Sequence, residues 1–200
     1  KELGVNAIEL MPVNEFEGNQ SWGYNPSFHM ALDKYYGSRQ AFKAMIDSAH
    51  SLGITVILDV VFNHAFGQSP LATMYWDKSN NAPASNSPYL NSIAKHPYNV
   101  GYDFNHESIY TQNYVKQVLK YWIEEFKIDG FRFDLSKGFT QKNSGSNVDL
   151  WGQYDASRIN ILKNYADWIW SIDNKAYVIL EHFAANQEEK ELADYGMMLW

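Results

Sequence analysis

Three short apolar runs in this chain each lead directly into a carboxylate, and this pattern constrains the fold more than any other feature. The runs and their carboxylates are residues 54–58 before Asp59, residues 130–133 before Asp134 and residues 177–180 before Glu181. Continuous runs of this kind are typical of strands that are buried on both faces of a parallel sheet. Because the carboxyl ends of parallel strands open on one face of the sheet, the three acids are predicted to converge there.

Amphipathic helices are predicted between these strands. Apolar side chains recur at helical spacing after Ser38, Ser108 and Asp155, which are residue types that cap helices, and Gly53 is placed to end the first helix. Further strands are predicted at residues 5–11 and near the end of the chain, whereas residues 12–37 are predicted to form a loop. The repeated unit of strand and helix gives an α/β fold with five strands.

The composition excludes several classes of partner. The chain has 200 residues, 46% of them hydrophobic, with 16 basic against 23 acidic side chains and a formal net charge of -7. This balance argues against a nucleic acid or an anionic membrane as partner, whereas a neutral polymer is acceptable. No apolar stretch approaches the roughly 20 residues that a membrane-spanning helix needs, and the absence of cysteine excludes disulfides.

Five segments of the sequence carry a resemblance to a known family. They are the stretches WGYNP at 22–26, DVVFNH at 59–64, YDFN at 102–105 and GFRFD at 130–134, followed by Glu181. In order and in spacing they resemble the conserved regions of the α-amylase superfamily of glycoside hydrolases, family 13. The resemblance extends over nearly the whole chain.

The resemblance implies a partial TIM (β/α)₈ barrel that contains about strands two to six. Residues 1–64 would supply strands two and three, residues 65–104 an irregular subdomain inserted after the third strand, and residues 105–200 strands four to six. A closed barrel of this type needs about 250 residues. The chain is therefore expected to be an internal piece of a longer catalytic domain, and to be inactive alone because the family's third carboxylate would lie beyond it.

The resemblance also assigns the reaction to two carboxylates. It makes Asp134 the nucleophile and Glu181 the general acid and base of a retaining mechanism, which requires carboxyl groups about 5–5.5 Å apart. Arg132 lies two residues before Asp134, so it shares a strand face with that acid and is predicted to lower its pKa. The alternatives are a helix cap or ion pair for either acid, and a structural ion pair between Arg132 and Asp59, which is predicted to support the site.

Arg132 is also assigned to substrate binding, and three further side chains are implied to bind substrate. His64 would hydrogen-bond the sugar in the cleaved subsite, Tyr24 would stack beneath that sugar, and Lys137 would also contact substrate. Packed loop positions are the alternatives for His64 and Tyr24. Many α-amylases carry a histidine after the lysine that corresponds to Lys137, whereas this chain has Gly138 there.

The resemblance implies a structural calcium ion held by Asn63 and Asp103. Oxygen ligands from two segments suit this hard cation, although Asn63 could instead brace its loop by hydrogen bonds. Four other histidines show no metal-ligand spacing and are expected to be structural: His29, His50, His96 and His106.

The function implied is that of a retaining hydrolase acting on α-1,4-linked glucans such as starch, glycogen and malto-oligosaccharides. One alternative is a glycogen-branching enzyme or other transglycosylase, because residues 11–26 also resemble that group, although the pair Asn63 and His64 favours the hydrolases. A second alternative is a glucan-binding relative without catalysis, which the presence of Asp134, Arg132 and Glu181 disfavours. The substrate class alone suggests a secreted, cell-surface or periplasmic location.

Overall fold

A central sheet of five parallel strands organises the computed structural model, which describes residues 2–200. The strands are β1 Ala7–Leu10, β2 Asn14–Phe16, β3 Pro26–Leu32, β4 Thr55–Val60, β5 His64–Ala65, β6 Trp76–Asp77, β7 Ala82–Pro83, β8 Tyr102–Asp103, β9 Gly130–Phe133, β10 Tyr177–Leu180 and β11 Met198–Leu199. The helices are α1 Arg39–Ser51, α2 Pro70–Thr73, α3 Ile109–Phe126, α4 Val148–Trp151, α5 Ala156–Ile172 and α6 Asn186–Tyr195. The sheet has the order β1-β4-β9-β10-β11, which confirms the predicted parallel α/β fold.

The register of this sheet decides which side chains meet at its carboxyl edge. Asp59 on β4 lies opposite Arg132 on β9, and Phe133 on β9 lies opposite Leu180 on β10. The next residues along β9 and β10 are Asp134 and Glu181. The two acids therefore leave neighbouring strands at the same level of the sheet.

Helices α1, α3 and α5 follow the predicted pattern, with one difference at a cap. The Ser38 hydroxyl accepts a hydrogen bond from the Ala41 amide, and the Asp155 carboxylate accepts from the first amides of α5. Ser108 precedes α3, but its hydroxyl instead donates to the Pro88 carbonyl at 2.5 Å and so ties α3 to the preceding segment. The buried faces of these helices and of the sheet share one apolar core, in which Trp122 has no exposed surface.

The prediction of a loop over residues 12–37 is wrong in part, because β2 and β3 form an antiparallel hairpin within it. The strands pair with register shifts on either side of Glu15, so their side chains do not alternate regularly in the sequence. The Asn14 amide donates to the His29 carbonyl at 2.5 Å inside the hairpin. The connection between β2 and β3 carries Tyr24 to the carboxyl edge of the sheet.

Residues 65–104 fold around a small apolar cluster of their own. The buried members of this cluster are Ala65, Leu71, Ala72, Leu90 and Phe104. Strands β6 and β7 pair within the segment, and β5 pairs with β8 so that His64 lies opposite Asp103. The segment thus returns to the point where it left the sheet, and its assignment as an inserted subdomain stays a prediction.

Two buried histidines brace the chain directly after β4. His29 bonds to the Val61 carbonyl at 3.0 Å and His106 to the Phe62 carbonyl at 2.7 Å, and each also contacts a buried tyrosine hydroxyl. Burial lowers the pKa of His29 to about 4 and that of His106 to about 3, so both stay neutral. They hold the two residues that precede Asn63 and His64.

Within residues 2–200, the structure contains no helix of the length and hydrophobicity that crossing a bilayer requires.

Candidate active site

One guanidinium group, that of Arg132, binds three carboxylates at the carboxyl edge of the sheet. Its Nη1 lies 2.9 Å from both carboxylate oxygens of Asp59 and 3.0 Å from Asp134 Oδ1. Its Nη2 lies 3.2 Å from Glu181 Oε2. The convergence predicted for Asp59, Asp134 and Glu181 is therefore observed, and the ion pair between Arg132 and Asp59 is confirmed.

The exposure of the three acids separates their possible roles. The Asp59 side chain is 3% exposed, whereas those of Asp134 and Glu181 are 16% and 20% exposed. A substrate can therefore reach Asp134 and Glu181, while Asp59 lies beneath them. This placement agrees with the prediction that Asp59 supports the site.

The expected lowering of the Asp134 pKa by Arg132 is wrong in its net direction. Burial, followed by the neighbouring charges of Asp59 and Glu181, raises the pKa of Asp134 to about 7, although Arg132 acts in the opposite sense. One positive charge faces three carboxyl groups, so it does not compensate for their mutual repulsion and loss of water. Asp134 consequently retains its proton up to a pH of about 7.

Tyr24 contacts this group from the connection between β2 and β3. Its hydroxyl donates to Asp59 Oδ2 at 2.7 Å. Burial and the adjacent Asp59 raise the pKa of Tyr24, so the phenol remains a donor, and burial also raises the pKa of Asp59 despite its bonds to Tyr24 and Arg132. The predicted stacking of Tyr24 on a sugar stays a prediction.

Residues shortly after the two accessible acids adopt an unusual backbone conformation. Leu135, directly after Asp134, has φ of 45°, and Phe183, two residues after Glu181, has φ of 51°. Left-handed backbone costs a non-glycine residue about 1 kcal/mol or more and is concentrated at functional sites. The turn at Leu135 directs its amide to Glu181 Oε2, which accepts its hydrogen bond at 2.8 Å. Local strain thus holds one oxygen of Glu181 in place.

The other two predicted substrate-binding side chains are occupied by protein groups. His64 is buried, with Nε2 2.8 Å from the Tyr24 carbonyl and Nδ1 3.1 Å from the Asn63 amide nitrogen. Lys137 Nζ donates to the Phe183 carbonyl at 2.8 Å and lies 4.0 Å from the centre of the Trp151 ring. A sugar hydroxyl would have to replace one of the His64 contacts, whereas Lys137 retains further N–H groups. The roles of both residues in binding substrate stay predictions.

A corner beside His64 brings together three polar atoms without hydrogen-bond partners among residues 2–200. They are Asn63 Oδ1, His96 Nε2 and Asp103 Oδ1. The other polar atom of each side chain has a partner. The Asn63 amide nitrogen contacts His64, His96 Nδ1 contacts the Pro97 carbonyl, and the second carboxylate oxygen of Asp103 accepts from Asn91. The distance from His96 Nε2 to Asp103 Oδ1 is 3.4 Å. Two oxygen atoms and one ring nitrogen thus converge in a buried space where none of them has a hydrogen-bond partner among the described residues.

This corner explains why residue 138 is glycine. A Cβ at Gly138 would fall 1.6 Å from Asn63 Oδ1 and 2.9 Å from His96 Nε2. The histidine expected at this position in many α-amylases has no room here.

The donor set of the corner fits calcium only in part. Asn63 and Asp103 offer oxygen, which this ion prefers, whereas His96 offers a nitrogen that is more suited to transition metals. His96, which was expected to be structural, is therefore a candidate cation ligand. No cluster of three or more His, Cys, Asp or Glu side chains in the described part of the chain has an arrangement suited to a metal.

Sequence reasoning missed one further group of residues at the site. Ser136 and His182 lie next to the Glu181 backbone, and Glu188 contacts His182 from α6. The position of His182 directly after Glu181 was a signal in the sequence. Glu188 gave no such signal, because it lies on a helix whose other acidic residues face solvent in part or in full.

A protein-family model supports the family inferred from the motifs. The model described as alpha amylase, catalytic domain, matches residues 1–90, a stretch that includes Tyr24, Asp59, Asn63 and His64. Asp134 and Glu181 lie after the matched range.

Several relatives match a larger share of the chain. It is 36% identical over 135 residues to a malto-oligosyltrehalose trehalohydrolase of Saccharolobus solfataricus, which covers 67% of this chain and 22% of that protein. Identity to a pullulanase of Bacillus subtilis is 34% over 163 residues, covering 68% of this chain and 20% of that one. A 1,4-alpha-glucan-branching enzyme of Candida glabrata is 36% identical over 138 residues, covering 67% and 19% of the two chains. The chain thus spans about a fifth of the length of these relatives.

Solved structures share the fold over almost the entire chain. Amy13B of Eubacterium rectale aligns with a TM-score of 0.77 at 22% identity, covering 98% of this chain and 40% of that one. An α-amylase of Geobacillus thermoleovorans in complex with acarbose aligns with a TM-score of 0.72 at 20% identity, covering 98% and 41%. These likenesses confirm the partial barrel. The motifs and the relatives establish that the chain belongs to the α-amylase family of glycoside hydrolases, family 13.

The raised pKa of Asp134 generates a prediction about stability. Between the ordinary carboxyl pKa of 3.8 and about 7, the folded protein holds a proton that the unfolded chain releases, so this group favours folding at low pH and opposes it above about 7. Asp134→Asn should therefore raise the melting temperature at pH 8 by roughly 5 °C, and the gain should shrink as the pH falls toward 4. Thermal unfolding from pH 4 to pH 8 measures this.

The matched control is Asp47→Asn on the exposed face of α1, which should leave the melting temperature nearly unchanged at every pH. An Asp134→Asn variant that is less stable than the parent at pH 8 would contradict the raised pKa.

Proposed function

We propose that the protein is a retaining glycoside hydrolase that acts on α-1,4-linked glucans such as starch, glycogen and malto-oligosaccharides. The observation that carries this proposal is the pair of accessible carboxylates, Asp134 and Glu181, at the ends of adjacent parallel strands and bound to one guanidinium. A glycosidase needs two carboxyl groups in different protonation states on either side of the bond to be cleaved. Two accessible carboxyl groups on adjacent strands support that requirement.

The proposed chemistry uses each acid in turn. The Asp134 carboxylate attacks the anomeric carbon and forms a glycosyl ester, while Glu181 gives its proton to the departing glycosidic oxygen. Glu181, now ionised, takes a proton from water, whose oxygen displaces Asp134 from the anomeric carbon. Two inversions leave the new reducing end in the α configuration. Arg132 contacts both acids and moderates the charge of whichever is ionised.

The relatives support an α-glucan as the partner, and they also support a second candidate reaction. By their names, two of those compared are a pullulanase and a trehalohydrolase, and another is an α-glucan-branching enzyme with 36% identity. A glycosyl ester on Asp134 can be captured by a sugar hydroxyl as well as by water. Branching or another transglycosylation is therefore the second candidate.

The anomeric protons of the products distinguish these reactions. The complete protein is incubated with amylose and followed by NMR, and new α-configured reducing ends are expected. Signals of new α-1,6 links with few reducing ends would establish branching instead, and an unchanged spectrum would overturn catalysis in favour of glucan binding alone.

Substitutions assign the activity to the two acids. Glu181→Gln and Asp134→Asn should each lower kcat at least about 100-fold, because each removes an essential acid, base or nucleophile. The matched controls are the exposed Glu124→Gln on α3 and Asp47→Asn on α1, which should retain full activity. Equal turnover in Glu181→Gln and Glu124→Gln would exclude Glu181 as the general acid.

We also propose that a calcium ion binds at the corner formed by Asn63 and Asp103. The supporting observation is the set of buried polar atoms there that have no hydrogen-bond partner among the described residues. An ion at this position would neutralise Asp103 and fix the pairing of β5 with β8. Its contribution would be structural, because it lies behind His64 and not among the three acids bound by Arg132.

Removal of metal tests this second proposal. Treatment of the complete protein with EDTA should lower its melting temperature, and added Ca²⁺ should restore it, by mass action on the folded state. Asn63→Ala should abolish the response to Ca²⁺. No change with EDTA or with any added cation would overturn the proposal, whereas rescue by Mn²⁺ or Zn²⁺ and not by Ca²⁺ would show that His96 sets a different preference.

A further inference from the structure

A buried chain of hydrogen bonds leads from the interior of the fold to the backbone of Glu181. Glu188 Oε1 lies 2.7 Å from His182 Nε2, and His182 Nδ1 lies 2.9 Å from the Ser136 hydroxyl. The same hydroxyl oxygen lies 2.9 Å from the Glu181 carbonyl. Glu188 and Ser136 have no exposed surface and His182 is 1% exposed. Carboxylate, imidazole and hydroxyl thus stand in series where no substrate can reach them, so they do not form a nucleophilic triad.

Arg158 anchors the inner end of this chain. Its guanidinium binds Glu188 through two nitrogens, at 2.6 and 2.8 Å, and donates to the Lys137 carbonyl at 3.1 Å. Although burial disfavours the charge, hydrogen bonds from His182 and Arg158 bring the pKa of Glu188 below its ordinary value. Glu188 therefore stays ionised. The contacts of its ion pair fix α5 and α6, the helices that carry the two partners, to the turn that follows β9.

The donor and acceptor groups of these side chains assign a direction to each hydrogen bond. Glu188 can only accept, so His182 Nε2 carries a hydrogen and donates it. Burial lowers the pKa of His182 despite its contact with Glu188, so the ring is neutral at pH 7 and its Nδ1 is an acceptor. The one hydroxyl hydrogen of Ser136 is therefore shared between two acceptors, His182 Nδ1 and the Glu181 carbonyl, each 2.9 Å from the hydroxyl oxygen. The Ser136 amide donates to the Glu181 carbonyl at 2.9 Å. Both polar groups of Ser136 are thus committed to residues 181 and 182.

The turn after β9 holds the general acid at three successive positions. The Leu135 amide binds the Glu181 carboxylate, Ser136 binds the Glu181 backbone, and Lys137 Nζ binds the Phe183 carbonyl. The carboxylate contact alone would allow the Glu181 main chain to shift. The direction in which Glu181 presents its free oxygen therefore depends on the buried chain behind it.

We propose that Ser136, His182 and Glu188 are positioning residues that aim the Glu181 carboxyl group at the leaving-group oxygen. This inference rests on the proposed function, because it concerns the acid step of that reaction. A displacement of about 1 Å in a catalytic group costs on the order of 100-fold in rate. Loss of the Ser136 hydroxyl removes the link between His182 and the turn, and leaves Asp134 and Arg132 untouched.

The leaving group reveals whether the acid step is the one affected. A sugar alkoxide departs only if Glu181 protonates it, whereas fluoride departs as the anion when the carbon–fluorine bond breaks and Asp134 bonds to the anomeric carbon. The parameter kcat/KM reports this first irreversible step for both substrates. Malto-oligosaccharides and α-maltosyl fluoride therefore separate an effect on Glu181 from a general loss of structure.

The test compares Ser136→Ala in the complete protein with a matched variant. Ser136→Ala should lower kcat/KM for malto-oligosaccharides about 10- to 100-fold and for α-maltosyl fluoride less than about 3-fold. Ser144→Ala is the control, because Ser144 also donates its hydroxyl to a backbone carbonyl, that of Lys95 at 3.1 Å, away from Glu181. This control should leave kcat/KM for both substrates unchanged. Thermal unfolding of each variant checks that it is folded.

Other outcomes overturn the inference in distinguishable ways. An equal loss on both substrates would show that Ser136 supports the whole site and not the acid. No loss on either would show that the buried chain does not set the position of Glu181. A parent protein that cleaves neither substrate would overturn the proposed function, and this inference with it.

Discussion

The sharing of one guanidinium among three carboxylates is the interaction on which the rest of the site depends. Arg132 reaches Asp59, Asp134 and Glu181 because β4, β9 and β10 are adjacent and parallel, so their carboxyl ends lie at one level. A single positive charge holds the acids together without neutralising all of them. Their excess negative charge and their burial keep a proton in the site near neutral pH. The raised pKa is that of Asp134, so the proposed nucleophile can attack only after this proton has left it.

Around this centre, strained backbone conformations hold the functional side chains in position. Leu135 and Phe183 take left-handed backbone conformations next to the two accessible acids, and the buried ion pair of Arg158 with Glu188 lies directly behind them. A buried pair of this kind contributes little net stability but specifies a geometry, because leaving either partner alone in the core costs several kcal/mol.

Much of this arrangement could be predicted from the sequence, and the exceptions have a common physical cause. Strand-end acids such as Asp134 and Glu181 were identifiable because periodicity locates strands and parallel topology brings their ends together. The direction of the Asp134 pKa was not predictable, since it depends on burial and on how many charges surround one arginine. Glu188 was missed because its partner Arg158 lies distant in sequence and on another helix. The hairpin of β2 and β3 was missed because its register shifts hide the alternation of side chains.

Trapping of the covalent intermediate tests the central claim most directly. The complete protein is incubated with a fluorinated maltosyl fluoride whose glycosyl ester forms faster than it is hydrolysed, then digested and analysed by mass spectrometry. The account predicts one glycosyl group on the peptide that contains Asp134, and none in the Asp134→Asn variant. A glycosyl group on Glu181 or Asp59, or active protein that accumulates no ester, would contradict the assignment of the three acids around Arg132.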